Sequence, residues 1–416
     1  LEAAQRDGQE RIEWNVRDKL RVGRTLYVIV ESVSNLFYER DFRKGKRVQK
    51  FLSPTDKCMQ WIKEKKIRGS VLFPERFPTI VTPNDWTEPR GGGYYTKHQP
   101  PLTFVKTNNN NYLDELKSID IQSVYDAVNI CQKTPFVINR KILKVQKHFW
   151  EQGHAVGSIP GDMQDEKPIK PSDEQLKDKD ILRRYKAAMT IWYGEVERHK
   201  SKQIQCAKTF ELADKFYNYK FYFPYQLDFR GRLYATTAFL NPQGADYQKA
   251  LLTFANSKPI NDDEQGHKAA GWLMIHGANT YGYDKCDYQE RIGFIEEHEE
   301  KIFLCSKDPY NNNFWMDADD PWQFLAFCFE YTSFQMSGWG YESSLPISLD
   351  ATCSGLQHFS ASIRSSITGK QVNMIPNKIP ADIYQKVADN VKLRLEKDTH
   401  EFAQKWLKYG LSLIHI

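Results

Sequence analysis

A chain of 416 residues with 40% hydrophobic and 13% aromatic side chains calls for two or three packed domains or one large multi-lobed enzyme, and excludes intrinsic disorder. Lys and Arg number 58 against 53 Asp and Glu, a net charge of +5 that leans toward polyanionic partners without requiring one. The seven cysteines show no CxxC or Cys/His ligand spacing, which argues against a disulfide framework and a structural zinc site; no run of about 18 apolar residues is present to span a membrane.

In chain order, the first element is a charged, helical stretch. Its start, "LEAAQRDGQERIEW", lacks the apolar segment of a signal peptide, so the reading is a soluble intracellular protein. The opening on Leu1 and the apolar close "YGLSLIHI" read as cut ends. Next, "NLFYERDFRKGKRVQKFLSP" sets apolar residues on both sides of a basic tip at Gly45, the pattern of a β-hairpin or a long loop. Six Lys/Arg and one Asp lie within Arg40 to Lys50, which suits either a solvated hairpin or contact with nucleic acid. The Pro-rich "FPTIVTPNDWTEPRGGGYYTKHQPPL" and the polar "TNNNNY" read as loops, and the triple glycine lacks the Lys-Ser/Thr of a P-loop.

Residues 161–180 form a polar linker, and after it the apolar recurrence from Ile181 predicts a long helix. Its Arg183, Arg184, Lys186, Arg198, Lys200 and Lys202 are either ordinary surface charge or a track for phosphates. In "FYFPYQLDFRGRLY", Asp228, Arg230 and Arg232 gather around Gly231 among aromatic residues. Guanidinium forks beside stacking faces suit a nucleic-acid strand, whereas an Asp-Arg pair closing a β-turn gives the same spacing. Helices then dominate. "DDEQGHKAAGWLMIHGANTYG" has an Asp cap and Gly terminators, "YQERIGFIEEHEEKIFLCS" is amphipathic, and "DDPWQFLAFCFEYTSF" puts Pro321 just inside an Asp-capped helix. The acidic cluster Glu296 to Glu300 lacks HExxH spacing, because position 302 is Ile, and reads as a solvated face.

In "SLPISLDATCSGLQHFSA", alternation of Leu345, Ile347 and Leu349 predicts a short strand with one buried face. A small-residue turn and a helix follow, with Leu356, Phe359, Ser360 and Ile363 on one face. Asp350 stands at the mouth of this unit, where it serves either as a ligand for a hard cation such as magnesium or as a helix N-cap.

Together, "FPYQLDFRGRLY", "FLNPQGADYQKALLTFANSKPI", "IHGAN", "DKCDYQERIGFIEEHEEKI", "FLAFCFEY" and "SLPISLDATCSGLQHFSA" resemble the palm of the single-subunit DNA-directed RNA polymerases of phage T-seven type, related to mitochondrial transcriptases. The resemblance is close over residues 210–375 and looser in "PNDWTEPRGGGYYTKHQPPLTFVKT" and "AVNICQKTPFVINRKIL". It implies an α/β, predominantly helical, right-hand polymerase fold of palm, thumb and fingers, incomplete at both ends. Residues 1–125 would be a partial N-terminal domain with upstream DNA contacts and 126–217 the thumb. Residues 218–366 would be the palm, with a helical insertion at 258–340, and 367–416 the start of the fingers.

The resemblance further implies that Asp350 is the first of two palm aspartates holding two magnesium ions, with the Ala351 carbonyl as a neighbouring ligand. Asp228, Arg230, Arg232 and Tyr234 would contact nascent RNA and template. Lys285 would approach the phosphates of the incoming nucleotide, or is an exposed loop lysine. The basic hairpin would wedge the upstream edge of the DNA bubble, with Phe37 or Phe42 stacking on a base. The implied partners are a DNA template and promoter, nascent RNA and ribonucleoside triphosphates. The complete enzyme would be a monomer in the cytoplasm of an infected bacterium. The family's triphosphate-binding fingers element, its specificity loop and its second aspartate are not found in the 416 residues, so the chain alone is expected to be inactive. A related right-hand DNA polymerase, one half of a split polymerase and a non-enzymatic nucleic-acid-binding subunit are the competing readings.

Overall fold

Short polar side chains that satisfy free backbone amides start most helices of this protein. Its computed structural model describes residues 15–44, 47–60, 76–96, 102–163, 166–349, 351–377 and 379–409. Two compact units result, Leu1–Phe73 and Pro74–Ile416. In the first, helix α1 (Val16–Ser34) begins where Asn15 accepts a hydrogen bond from the Asp18 amide and ends at Asn35, whose φ of 51° is left-handed. Strands β1 (Phe37–Lys44) and β2 (Arg47–Pro54) then pair antiparallel, from Phe37 opposite Pro54 to Lys44 opposite Arg47. The hairpin alternative therefore holds, although its tip at Gly45 and Lys46 and the Phe42 side chain lie outside the described residues. Glu39 joins helix to hairpin, receiving Arg24 at 2.8 Å and Lys50 at 2.7 Å.

The second unit contains a large aromatic core. The Pro-rich segment packs there through Trp86, which is fully buried and donates its indole N–H to the Tyr225 carbonyl at 3.0 Å. Gly92 lies against the Trp86 ring, where an added Cβ would stand 2.4 Å from Cδ2. The "TNNNNY" run is not all loop. Asn109 accepts from the Tyr112 amide and starts helix α2 (Asn110–Leu116). Asn favours both loops and N-caps, and a cap is the use made of it here.

Helix α3 (Gln122–Gln132), strand β3 (Phe136–Ile138) and helix α4 (Arg140–Glu151) follow. Helix α5 (Lys179–Phe216) runs for 38 residues from an Asp178 cap, and its fully buried residues begin only at Cys206. All six of its predicted basic residues are exposed. Strands β4 (Tyr225–Leu227) and β5 (Leu233–Ala235) pair with each other. Helix α6 (Asp246–Ala250) then leads to β6 (Leu252–Phe254), which pairs with β3, and on to β7 (Lys258–Ile260).

Four helices follow: α7 (Glu264–Tyr281), α8 (Tyr288–Glu297), α9 (Glu299–Lys307) and α10 (Pro321–Ser337). The chain returns through β8 (Tyr341–Ser343) to pair with β7. Asp263 and Gly282 cap α7 as expected, and Glu296, Glu297, Glu299 and Glu300 are exposed to solvent as expected. The start of α10 departs from expectation. Asp320 makes no side-chain cap bond there. Instead Asp246, from α6, accepts from the Trp322 amide at 2.9 Å and the Gln323 amide at 3.0 Å.

Beyond Ser343 the predicted strand does not form. Residues 344–349 have no strand assignment, and Ile347 and Leu349 are 37% and 76% exposed. A strand needs a ladder partner as well as alternation; among the described residues the pairing of β8 ends at Ser343, and Pro346 has no amide to donate. Helix α11 (Ser354–Ser362) forms where predicted, but of its expected buried face only Ser360 is buried. Helices α12 (Ser366–Gln371), α13 (Ile383–Glu396) and α14 (Glu401–Tyr409) complete a predominantly helical protein. Among the described residues no helix is long and apolar enough to cross a membrane.

Candidate functional site

The five residues that turn β4 into β5 carry the exposed Arg-aromatic cluster. Gly231 takes φ 79° there, a left-handed value that costs glycine little. Asp228 organises the turn: Oδ1 accepts from the Arg230 and Arg232 amides, each at 2.9 Å, and Oδ2 from Arg230 Nε at 3.1 Å. Burial pushes the Asp228 carboxyl up, but the Arg232 amide and the Arg230 contacts outweigh it and hold the group below the usual carboxylate range. The turn-closing Asp-Arg pair is thus what the structure shows for Asp228 and Arg230. Arg232 joins through its amide and presents its side chain to solvent. Phe229 is 78% exposed with the Arg230 guanidinium 5.4 Å from its ring centre, and Tyr234 is exposed on β5.

The base of this hairpin is pinned from elsewhere in the sequence. Leu227 donates to the Phe104 carbonyl and accepts from the Lys106 amide, both at 2.8 Å. The turn is therefore a rigid mount for two guanidinium groups and two rings, which is the composition that grips a nucleic-acid backbone and stacks on bases.

Asp350 lies outside the described residues. Ala351 is exposed, and the N-cap position of α11 falls on Cys353, whose side chain makes no cap bond. The segment carrying Asp350 is anchored on both sides. Before it, Glu330 Oε1 accepts from Ser343 Oγ at 2.7 Å and from the Ser344 amide at 3.0 Å. After it, Asn373 donates to Thr352 Oγ1 and to the Ala381 carbonyl, each at 2.8 Å. The donor chemistry fits a hard divalent cation, since a carboxylate and a backbone carbonyl are both oxygen ligands. Among the described residues no group of three His, Cys, Asp or Glu is placed to hold a metal ion.

Lys285 is exposed and paired with Asp284 at 3.2 Å. A cleft of about 70 Å³ underlies the run before Asp350, lined by Lys249, His276 and Gln323 together with Leu345, Pro346 and Ser348. Burial pushes the His276 imidazole down to about 4.

Sequence reasoning missed Asp246, Glu330 and Asn373. One signal was available for Glu330, a single charge inside the apolar "FLAFCFEY" run, because an unpaired carboxylate is seldom tolerated on a buried helix. Burial, and next the Glu330 charge, push the Tyr341 hydroxyl up to about 12.

Two families match the chain: DNA-directed RNA polymerase N-terminal over residues 2–133 and DNA-dependent RNA polymerase over residues 263–412. T7 RNA polymerase of Escherichia phage T7 is 37% identical over 397 residues, which cover 94% of this chain and 44% of that protein. The DNA-directed RNA polymerase of Enterobacteria phage K11 is 38% identical over 371 residues, 82% of this chain and 40% of that one. The mitochondrial DNA-directed RNA polymerase of Neurospora crassa is 30% identical over 391 residues, 91% and 27% respectively. The chain spans less than half the length of each of these curated relatives.

Proposed function

We infer that this chain, which belongs to the single-subunit DNA-directed RNA polymerases of phage type, contributes the N-terminal domain, thumb and palm of an enzyme that builds RNA on a DNA template. The observation that carries this reading is the match to T7 RNA polymerase across 94% of the chain. The domain limits proposed are 1–125, 126–217 for the thumb, 218–366 for the palm and 367–416 for the start of the fingers, in a right-hand arrangement.

In this reading Asp350 and the Ala351 carbonyl hold magnesium, and the resemblance puts the second aspartate outside residues 1–416. Bound there, two magnesium ions supply positive charge where the attacking and leaving oxygens develop negative charge. The remaining work falls to the protein's own groups. Arg230 and Arg232 offer guanidinium forks to the RNA or template backbone, while Phe229 and Tyr234 offer stacking faces. Asp228 serves by shaping the turn, because both its oxygens are engaged within it. Lys285 exchanges Asp284 for a triphosphate oxygen, and the exposed basic face of α5 follows the RNA-DNA hybrid. The complete enzyme works as a monomer on DNA, nascent RNA and ribonucleoside triphosphates, in the cytoplasm of a phage-infected bacterium.

Primer extension on a preformed RNA-DNA scaffold tests the reading. The 416-residue chain should extend nothing alone and should be rescued by the downstream segment of the enzyme supplied in trans. Asp350→Asn in the complete enzyme should abolish addition while leaving template binding nearly intact. Extension by the chain alone, or by that variant, would refute the assignment.

A further inference from the structure

The "FLAFCFEY" run belongs to helix α10, and Glu330 is its single charge. The helix before it is buried from Trp322 to Phe329 and, Gln323 apart, apolar. A carboxylate in that setting needs partners, and among the described residues Ser343 Oγ and the Ser344 amide both donate to Oε1. Their place matters. Ser343 is the last residue of the β7–β8 ladder, and from Ser344 to Leu349 the chain runs without strand pairing toward Asp350. The Ser344 carbonyl is fixed as well, accepting from the Phe254 amide at 2.9 Å. Both backbone groups of Ser344 are thus spoken for, one by Glu330 and one by β6.

We propose that Glu330 is a positioning residue, which sets the point and direction at which the Asp350-bearing segment leaves the ladder. The inference rests on the assignment of Asp350 to metal-dependent chemistry. Helix α10 is a rigid base for this task, because its N-terminus is held from α6 by Asp246 and its body is buried in the aromatic core. A carboxylate on such a base transmits its position to the chain through charge-assisted hydrogen bonds, which are short and directional. Loss of the clamp would let the run from Ser344 to Leu349 shift relative to the palm, and small displacements of reacting groups are expensive in rate.

Hydrogen exchange and kinetics test this together. In the 416-residue chain, Glu330→Ala should speed exchange of the Ser344 amide by roughly tenfold or more, while amides inside α10, such as Phe327, keep their protection. Glu330→Gln retains an acceptor oxygen at the same place and should restore most of the Ser344 protection. In the complete enzyme, Glu330→Ala should lower kcat by about 10–100-fold with little change in the nucleotide KM, and Glu330→Gln should recover most of the loss. Unchanged Ser344 exchange would overturn the inference, as would a normal kcat in the alanine variant. Uniform loss of protection across α10 would assign Glu330 to fold stability alone and overturn it too. Asp350→Asn serves as the separate control: extension by that variant would sink the catalytic reading of Asp350, an outcome that the exchange measurement cannot mimic.

Discussion

Helix α10 and the stretch from Leu345 to Ile367 lie on either side of β8, and both are rich in apolar residues, yet they have opposite fates. Trp322, Phe324, Leu325, Phe327 and Cys328 are completely buried, whereas Leu349, Phe359 and Ile367 are mostly exposed. The difference is one of neighbours. Around α10 the structure brings α6, α7 and α9, and aromatic rings fill the space, with Trp322 packed on Trp315 at 4.9 Å and on Phe149 at 6.1 Å. The second stretch, Leu345 apart, presents most of its apolar side chains to solvent within the described residues. An apolar pattern shows which side of an element gains from burial; a second layer decides whether burial happens.

Truncating one large side chain in each stretch should separate the buried helix from the open one most widely. Trp322→Ala should cost about 3–5 kcal/mol by leaving a cavity, and it also removes the indole N–H that donates to the Val156 carbonyl at 3.1 Å. Phe359→Ala should change stability by less than about 0.5 kcal/mol, as an exposed site does. Urea unfolding of the two variants decides it, and similar losses would mean that the α11 face is covered in solution.

Two titrating groups of the buried block give the next largest effect, with opposite signs. Burial holds His276 neutral by pushing it from 6.5 down to about 4, so its contribution to stability is present above pH 6.5 and is lost as pH falls through 4. Asp246 moves the other way. Burial pushes it from 3.8 up to about 6 against the opposing Trp322 and Gln323 amides, and Asp320 adds repulsion. Its contribution is fully present below pH 3.8 and is lost as pH rises through 6. Each shift amounts to about 3 kcal/mol over its full range, so the two offset each other between those limits. On going from pH 7 to 5, His276→Gln should therefore gain about 2 kcal/mol relative to the parent chain and Asp246→Asn should lose about 1 kcal/mol. Equal pH slopes in the two variants would show that neither group is buried as described.

Glycines extend the contrast between packed and open positions. Gly92→Ala forces a methyl into the Trp86 ring and should cost roughly 1–3 kcal/mol or more. Gly231→Ala meets open space, so only the strain of its φ of 79° remains, about 1 kcal/mol. The smallest effect on folding belongs to Arg232→Ala, which should leave the melting temperature almost unchanged and still weaken retention of a short RNA-DNA hybrid. If that variant instead melts early and retains hybrids at low temperature, Arg232 serves the turn and not the nucleic acid.

What the amino-acid order determined by itself is local. The hairpin after α1, the Asp263 and Gly282 limits of α7, Pro321 in the first turn of α10 and the Asp228 turn each depend on hydrogen bonds or dihedral preferences spanning a few residues, and each is legible there. So was the family, because its motifs are runs of adjacent residues. Other features needed partners far along the chain. Asp246 caps a helix that begins 75 residues later, Glu330 clamps a backbone amide across a turn of the fold, and Leu227 is pinned by Phe104 and Lys106. The alternation in Leu345 to Leu349 promised a strand, and only tertiary structure could withhold it. A strand is completed by a ladder partner and a covering layer, and neither is written in the residues that would form it.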